Sequence, residues 1–219
     1  MMNFLHIASI TLPLLLKGLI VTIEISVLGI LISLVAGFFI NLMCLSKNKI
    51  IELIGRIYIK IFRCTPFMVQ VYLAYYGLPA LGIHISAFYV GVLILGAYYA
   101  AYNAVIFESG IRALPKGQEE AAVAIGMNKF QCMTRILLPQ TVSVIMPSLT
   151  GMFMQTVKDS SILSVITVAE MTMETKEAIG ITFSSLFVYI LAGLLYWILN
   201  IAIENITGKI ERQSRVVKN

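Results

Sequence analysis

The sequence predicts an all-α integral membrane protein, a single domain over residues 1–219 in which five transmembrane helices flank a cytoplasmic helical hairpin between the third and the fourth. Of 219 residues, 59% are hydrophobic and only 12% are charged, and the mean hydropathy is +0.91, outside the balance of a soluble domain. Apolar runs that approach the roughly 20 residues a helix needs to cross a bilayer core occur at about 14–43, 66–81, 86–107, 141–157 and 183–203. Thirteen of the sixteen Lys and Arg fall in three connections, 44–63, 110–140 and the tail after 203. Basic residues collect on the cytoplasmic side, so five spans put the N-terminus outside and the C-terminus in the cytoplasm.

The first apolar run is too long for a secretory leader and is expected to remain as a helix. Gly18, Thr22 and Ser26 recur along it every four residues, as do Gly29, Ser33 and Gly37, and small side chains at that spacing let helices approach closely. Glu24 interrupts the run. A carboxylate there either faces a pathway or a neighbouring helix, or sits at the interface. Lys17, on the same face, is expected to snorkel toward the outer surface.

After the first span, Lys49, Glu52, Arg56, Lys60 and Arg63 recur at steps of three or four opposite Ile50, Leu53, Ile54, Ile57 and Ile61. This pattern predicts an amphipathic helix, lying along the inner leaflet or leading at a slant into the second span. The second span, between Pro66 and Pro79, is short for a crossing, and the fourth carries Pro147 and Gly151 before the polar run Lys158-Asp159-Ser160-Ser161. Interrupted spans must turn their unpaired backbone groups to protein or to a water-filled route, unless the prolines serve packing alone.

Between the third and fourth spans stands EEAAVAIGMNKFQCMTRILLPQ, residues 119–140. Pro115 suits a first helical turn, and Gly126 suits the left-handed backbone that closes a helix. Asn128 and Gln131 have capping-box spacing, Phe130, Met133 and Leu137 share a face, and Pro139 is expected to end the second helix. Ala121, Ala122 and Ala124 make the first helix thin, while Glu119 and Glu120 complement its dipole and offer charge to a partner. The hairpin either plugs a groove in another protein or packs only on its own chain.

Several function classes drop out. His6 and His84 are the only histidines, so no histidine metal site is expected. Cys44, Cys64 and Cys132 follow no paired spacing, and no disulfide is expected. No nucleophile motif or carboxylate dyad points to an enzyme. No aromatic interleaving accompanies the basic residues, which argues against nucleic acid. A G-x-x-x-x-G-K-[ST] loop is absent, so any ATP and magnesium belong to another chain and no cofactor is expected in this one.

The stretch 120–139 fits E-A-A, three residues, G, nine residues, I-x-L-P, and resembles the EAA loop of ABC importer permeases. With RCTPFMVQVYLAYYGLP (63–79), IRALPKGQEEAA (111–122) and KDSSILSVITVAEMT (158–172), nearly the whole chain is similar to the polar amino acid subfamily, the histidine, glutamine and arginine type. The resemblance implies a bacterial inner-membrane permease for polar amino acids. Its partners would be an ATPase subunit dimer, a second permease, identical or sister, and an extracellular or periplasmic solute-binding protein. Glu119, Glu120, Ala121, Ala122 and Gly126 would dock the ATPase. Cystine, an opine or a dipeptide are alternative cargoes, and an ATP-independent secondary transporter is an alternative mechanism.

Solute contact is expected at the breaks and at the intramembrane carboxylate: Met68 and Gln70, Lys158 and Asp159, which supply the two signs a zwitterion needs, Ser160 and Ser161, whose hydroxyls cap a short helix, and Glu24. The other reading of Lys158 and Asp159 is a salt-bridged pair on an outer loop. The chain departs from the subfamily at Cys64, where glycine is common, and at Val105 and Glu108, where glutamate and arginine are usual.

Overall fold

Each long apolar run folds as helix, and the glycine and proline positions decide how the helices meet. The computed structural model describes residues 4–216, and among them every regular element is helical. In chain order these are α1 (Phe4–Cys44), α2 (Lys49–Cys64), α3 (Phe67–Ala80), α4 (Ala87–Arg112), α5 (Lys116–Ala124), α6 (Lys129–Cys132), α7 (Leu138–Asp159), α8 (Met171–Thr182) and α9 (Ser185–Val216). A π-helical turn, Met133–Leu137, joins α6 to α7, and a 3-10 segment, Ser160–Ile166, follows α7.

Four segments are long and apolar enough to cross a membrane: His6–Cys44, Ala87–Arg112, Phe130–Ile166 and Ser185–Arg212. The expected fifth, α3, has 14 residues, about 21 Å of helix. It continues from α2 through a bend at Thr65-Pro66.

Helix α4 is the hub. Gly29 and Gly37 of α1 face it so closely that a Cβ on Gly37 would lie 2.9 Å from the Ala100 carbonyl, and a Cβ on Gly96 would lie 2.5 Å from Ile32. Asn103 donates across the same seam to Ser33 at 2.9 Å. Behind α4, Ile25, Phe67, Val71, Leu95, Tyr99, Leu163 and Ile166 form the main apolar core. The two placements open for α2 are decided by its contacts: the Tyr58 hydroxyl donates to Ala97 at 2.7 Å and Ile59 packs beside Ala100 and Ala104. The helix therefore climbs along α4 into α3.

Three sequence expectations are corrected. Pro139 does not stop the second hairpin helix, because the π-helical turn lengthens the hydrogen-bond register just before it (Leu138 donates to Met133, five residues back), and the chain stays helical from Lys129 to Asp159. Pro147 and Gly151 do not interrupt α7; on either side of the proline Ile145, Met146 and Leu149 pack with Leu34, Ile106 and Phe107. Lys17 is not left to snorkel, since α8 folds back over α1 and brings Glu174 Oε1 within 3.1 Å of its Nζ.

Candidate functional site

The hairpin between α4 and α7 closes as a Schellman turn: Gly126 has φ +81°, its N–H donates to Val123 at 2.9 Å and that of Met127 to Ala122 at 3.0 Å. The second arm starts with a reciprocal capping box, Asn128 N–H to Gln131 Oε1 at 3.0 Å and Gln131 N–H to Asn128 Oδ1 at 2.9 Å. Gln140 donates to Gln118 at 3.2 Å and ties the base. Ala122 is buried between the arms, while Ile125 and Phe130 are 73% and 76% exposed, with Val123 and Met133 beside them. Glu120, Ala121 and Gly126 are exposed; the Glu119 side chain lies outside the described residues. The result is a hydrogen-bonded tip with an uncovered apolar surface, which costs free energy in water and suits a partner groove.

A second constellation lies at the end of α7. Asp159 Oδ2 accepts from Tyr99 at 2.6 Å and Oδ1 accepts from Gln155 at 2.9 Å. Tyr98 and Tyr102 share a hydrogen bond of 3.1 Å, and the Tyr98 and Tyr99 rings meet edge to face at 5.3 Å. Lys158 is exposed and makes no ion pair with Asp159. Successive helical residues point about 100° apart, which corrects the expected salt-bridged pair. Ser160 is buried with its hydroxyl on the Val157 carbonyl at 2.8 Å, and Ser161 is half-buried.

The remaining expected solute residues are dispersed. Met68 is exposed on α3. Gln70 is buried and donates to the carbonyls of Phe62 at 3.0 Å and Thr65 at 3.1 Å, closing the bend that Pro66 opens. Glu24 lies on the exposed face of α1, among Ile20, Ile23, Val27 and Leu28.

Two clusters were missed in the sequence. At the end away from the hairpin, the buried Glu170 caps α8, accepting from Thr172 N–H at 2.8 Å and Met173 N–H at 2.9 Å, and also from the Tyr196 hydroxyl at 2.9 Å. Its neighbour Glu174, buried as well, takes Lys17. The available signal was the i, i+4 pair of glutamates between apolar stretches. The other cluster is a groove of about 650 Å³ between α2 and α4. Glu108, one of the departures noted above, meets Arg112 at 2.7 Å and Arg56 at 3.8 Å on its edge.

Residues 29–216 match the family described as binding-protein-dependent transport system inner membrane component. The arginine transport system permease protein ArtQ of Bacillus subtilis (strain 168) is 34% identical over 202 residues, 92% of either chain. A putative glutamine transport system permease protein GlnP of Rickettsia felis is 33% identical over 199 residues, 90% of this chain and 91% of that one. Among solved structures, a crystal structure of an amino acid ABC transporter with histidines superposes with a TM-score of 0.88 at 34% identity, over 97% of this chain and 99% of the other. An inward-facing MetNI methionine ABC transporter superposes with a TM-score of 0.76 at 19% identity, over 92% and 96%, a likeness of fold.

Proposed function

The chain belongs to the family of binding-protein-dependent transport system inner membrane components, and from that premise we propose how its parts divide the work of a permease. It is the non-catalytic membrane subunit of an amino acid ABC importer of the inner membrane, acting with an ATPase and a solute-binding protein. The observation that carries this is the 34% identity to an amino acid permease along 92% of both chains.

The finer reading is ours. The α5–α6 hairpin docks on an ATPase dimer that binds the ATP and magnesium, with Glu119, Glu120, Ala121 and the Gly126 turn seated in its groove and the buried Ala122 keeping the arms close behind them. Two permeases pair in the membrane, and closure of the ATPases draws their hairpins together and reorients the spans. The α2–α3 pair completes a fifth crossing, which with the Lys and Arg of the 110–140 connection and of the tail after 203 puts the hairpin end in the cytoplasm and the N-terminus outside. A polar amino acid passes near Asp159 and the 3-10 segment, where Tyr99 and Gln155 hold the carboxylate in place.

Ala122→Arg and Gly126→Asp test the docking. The first drives a long cation into the seam between the hairpin arms, and the second puts a Cβ and a charge where φ is positive. Loss of the ATPase on co-purification, and of ATP-driven uptake by more than about tenfold, is expected. Full retention of the ATPase and of uptake in both variants would sink the assignment.

A further inference from the structure

The groove between α2 and α4 carries a surplus of positive charge. Arg56, Lys60 and Arg63 line it against one carboxylate, Glu108, with Tyr102 among its walls. Glu108 is shared between Arg112 and Arg56, and Arg56 is also held by Glu52 at 3.0 Å. Among the described residues no ion pair reaches Lys60 or Arg63; the Arg63 guanidinium lies 5.2 Å over the Tyr102 ring. Tyr102 stands ten residues before the end of α4, about 15 Å along its axis. A cation at that depth of a membrane-crossing helix is costly unless it faces protein or water.

Helix α2 separates its exposed surface into two sectors. Ile50, Leu53, Ile54, Ile57 and Ile61 are exposed on one side and suit acyl chains, while Arg56, Lys60 and Arg63 lie on another, beside α4. The charged sector is therefore not the lipid-facing one. From Arg63 a chain of side-chain contacts runs through Tyr102, Tyr98 and Tyr99 to Asp159, which links the wall of the groove to the constellation at the end of α7.

We propose that this groove receives the anionic group of the cargo and that the chain favours acidic amino acids, whose side-chain carboxylate sits between Lys60 and Arg63. This rests on the reading of the chain as an amino acid permease. An arginine fork and a lysine point charge both fit a carboxylate. A carboxamide of the same shape offers no charge to either, and a cationic side chain meets repulsion.

The test uses the chain in complex with its ATPase and partner permease, without the solute-binding protein, which would otherwise select the cargo first. Equilibrium binding of L-glutamate and L-glutamine is compared, because the two differ in charge and hardly in shape. L-Glutamate is expected to bind about tenfold tighter, and Lys60→Gln or Arg63→Gln to weaken L-glutamate by a similar factor while changing L-glutamine less than about twofold. Both side chains are exposed, so the variants keep the fold, and unchanged recovery of the ATPase checks this. Equal binding, tighter L-glutamine, binding of neither, or a preference that survives both substitutions overturns the proposal. So does an anionic phospholipid retained by the wild type and lost from the variants without any preference for L-glutamate. A chain that recruits no ATPase brings down the permease reading and this inference with it, whereas an intact complex without the preference removes this inference alone.

Discussion

Glu170 shows how far a single side chain here is governed by its surroundings. It is wholly buried, and burial pushes its carboxyl above the usual carboxylate range, against the opposing hydrogen bonds from Thr172, Tyr196 and Met173. A carboxyl that holds its proton more tightly when folded adds stability below its ordinary value and loses that contribution as pH rises through the raised one. The thermal stability of the purified protein should fall across that window, and Glu170→Gln should flatten the fall; an unchanged slope in thermal melts would show that the titration lies elsewhere. The one local mark is the i, i+4 spacing of Glu170 and Glu174, and it does not tell a buried pair from an exposed one; Tyr196, Lys17 and Thr22, brought from distant segments, give them a buried setting.

At the scale of elements, the seam between α1 and α8 depends on the smallness of Gly18. A Cβ there would lie 2.6 Å from the Met171 Cα, while Thr22 accepts the Met171 N–H at 3.1 Å. Backbone cannot yield as a flexible side chain can, so Gly18→Ala should cost about 1–3 kcal/mol, read as a lowered melting temperature, whereas Gly193→Ala, which meets open space, should leave it nearly unchanged. Equal melting temperatures for the two variants would refute the close approach. The repeats through Gly18, Thr22, Gly29, Ser33 and Gly37 were legible as packing surfaces, because period and side-chain size are properties of one helix. Their counterparts were not, since α8 and α4 are chosen by tertiary contacts. The hairpin was legible for the same local reasons, in Gly126 and the Asn128–Gln131 box. Pro139 was misread because a widened helical turn upstream leaves no mark in composition.

For the molecule as a whole, the decisive matter is which end lies in the cytoplasm. Gly117, at the start of α5, is exposed with nothing near its Cβ position, so Gly117→Cys in a Cys64→Ser background presents one accessible thiol, Cys44 and Cys132 being buried. A membrane-impermeant maleimide should label it in inverted vesicles and leave it unmodified in intact spheroplasts; the reverse pattern would overturn the proposed orientation. The spans themselves were legible from hydropathy, and their contents only in part. Glu24 stands out in sequence, yet the structure leaves it on an outer face, while Tyr99 and Gln155, ordinary in sequence, converge on Asp159. Hydropathy marks depth along a helix and says nothing about which side of it meets a neighbour.

The unbroken helical path from Lys129 to Asp159 has a mechanical corollary. Its 31 residues measure about 46 Å, so a tilt of about 5° at the hairpin end sweeps the far end by about 4 Å. That sweep exceeds the 2.6 Å separation of Asp159 from Tyr99. Under the docking proposed above, a swing of that size would part Asp159 from Tyr99, so the crank and the latch would share one shaft.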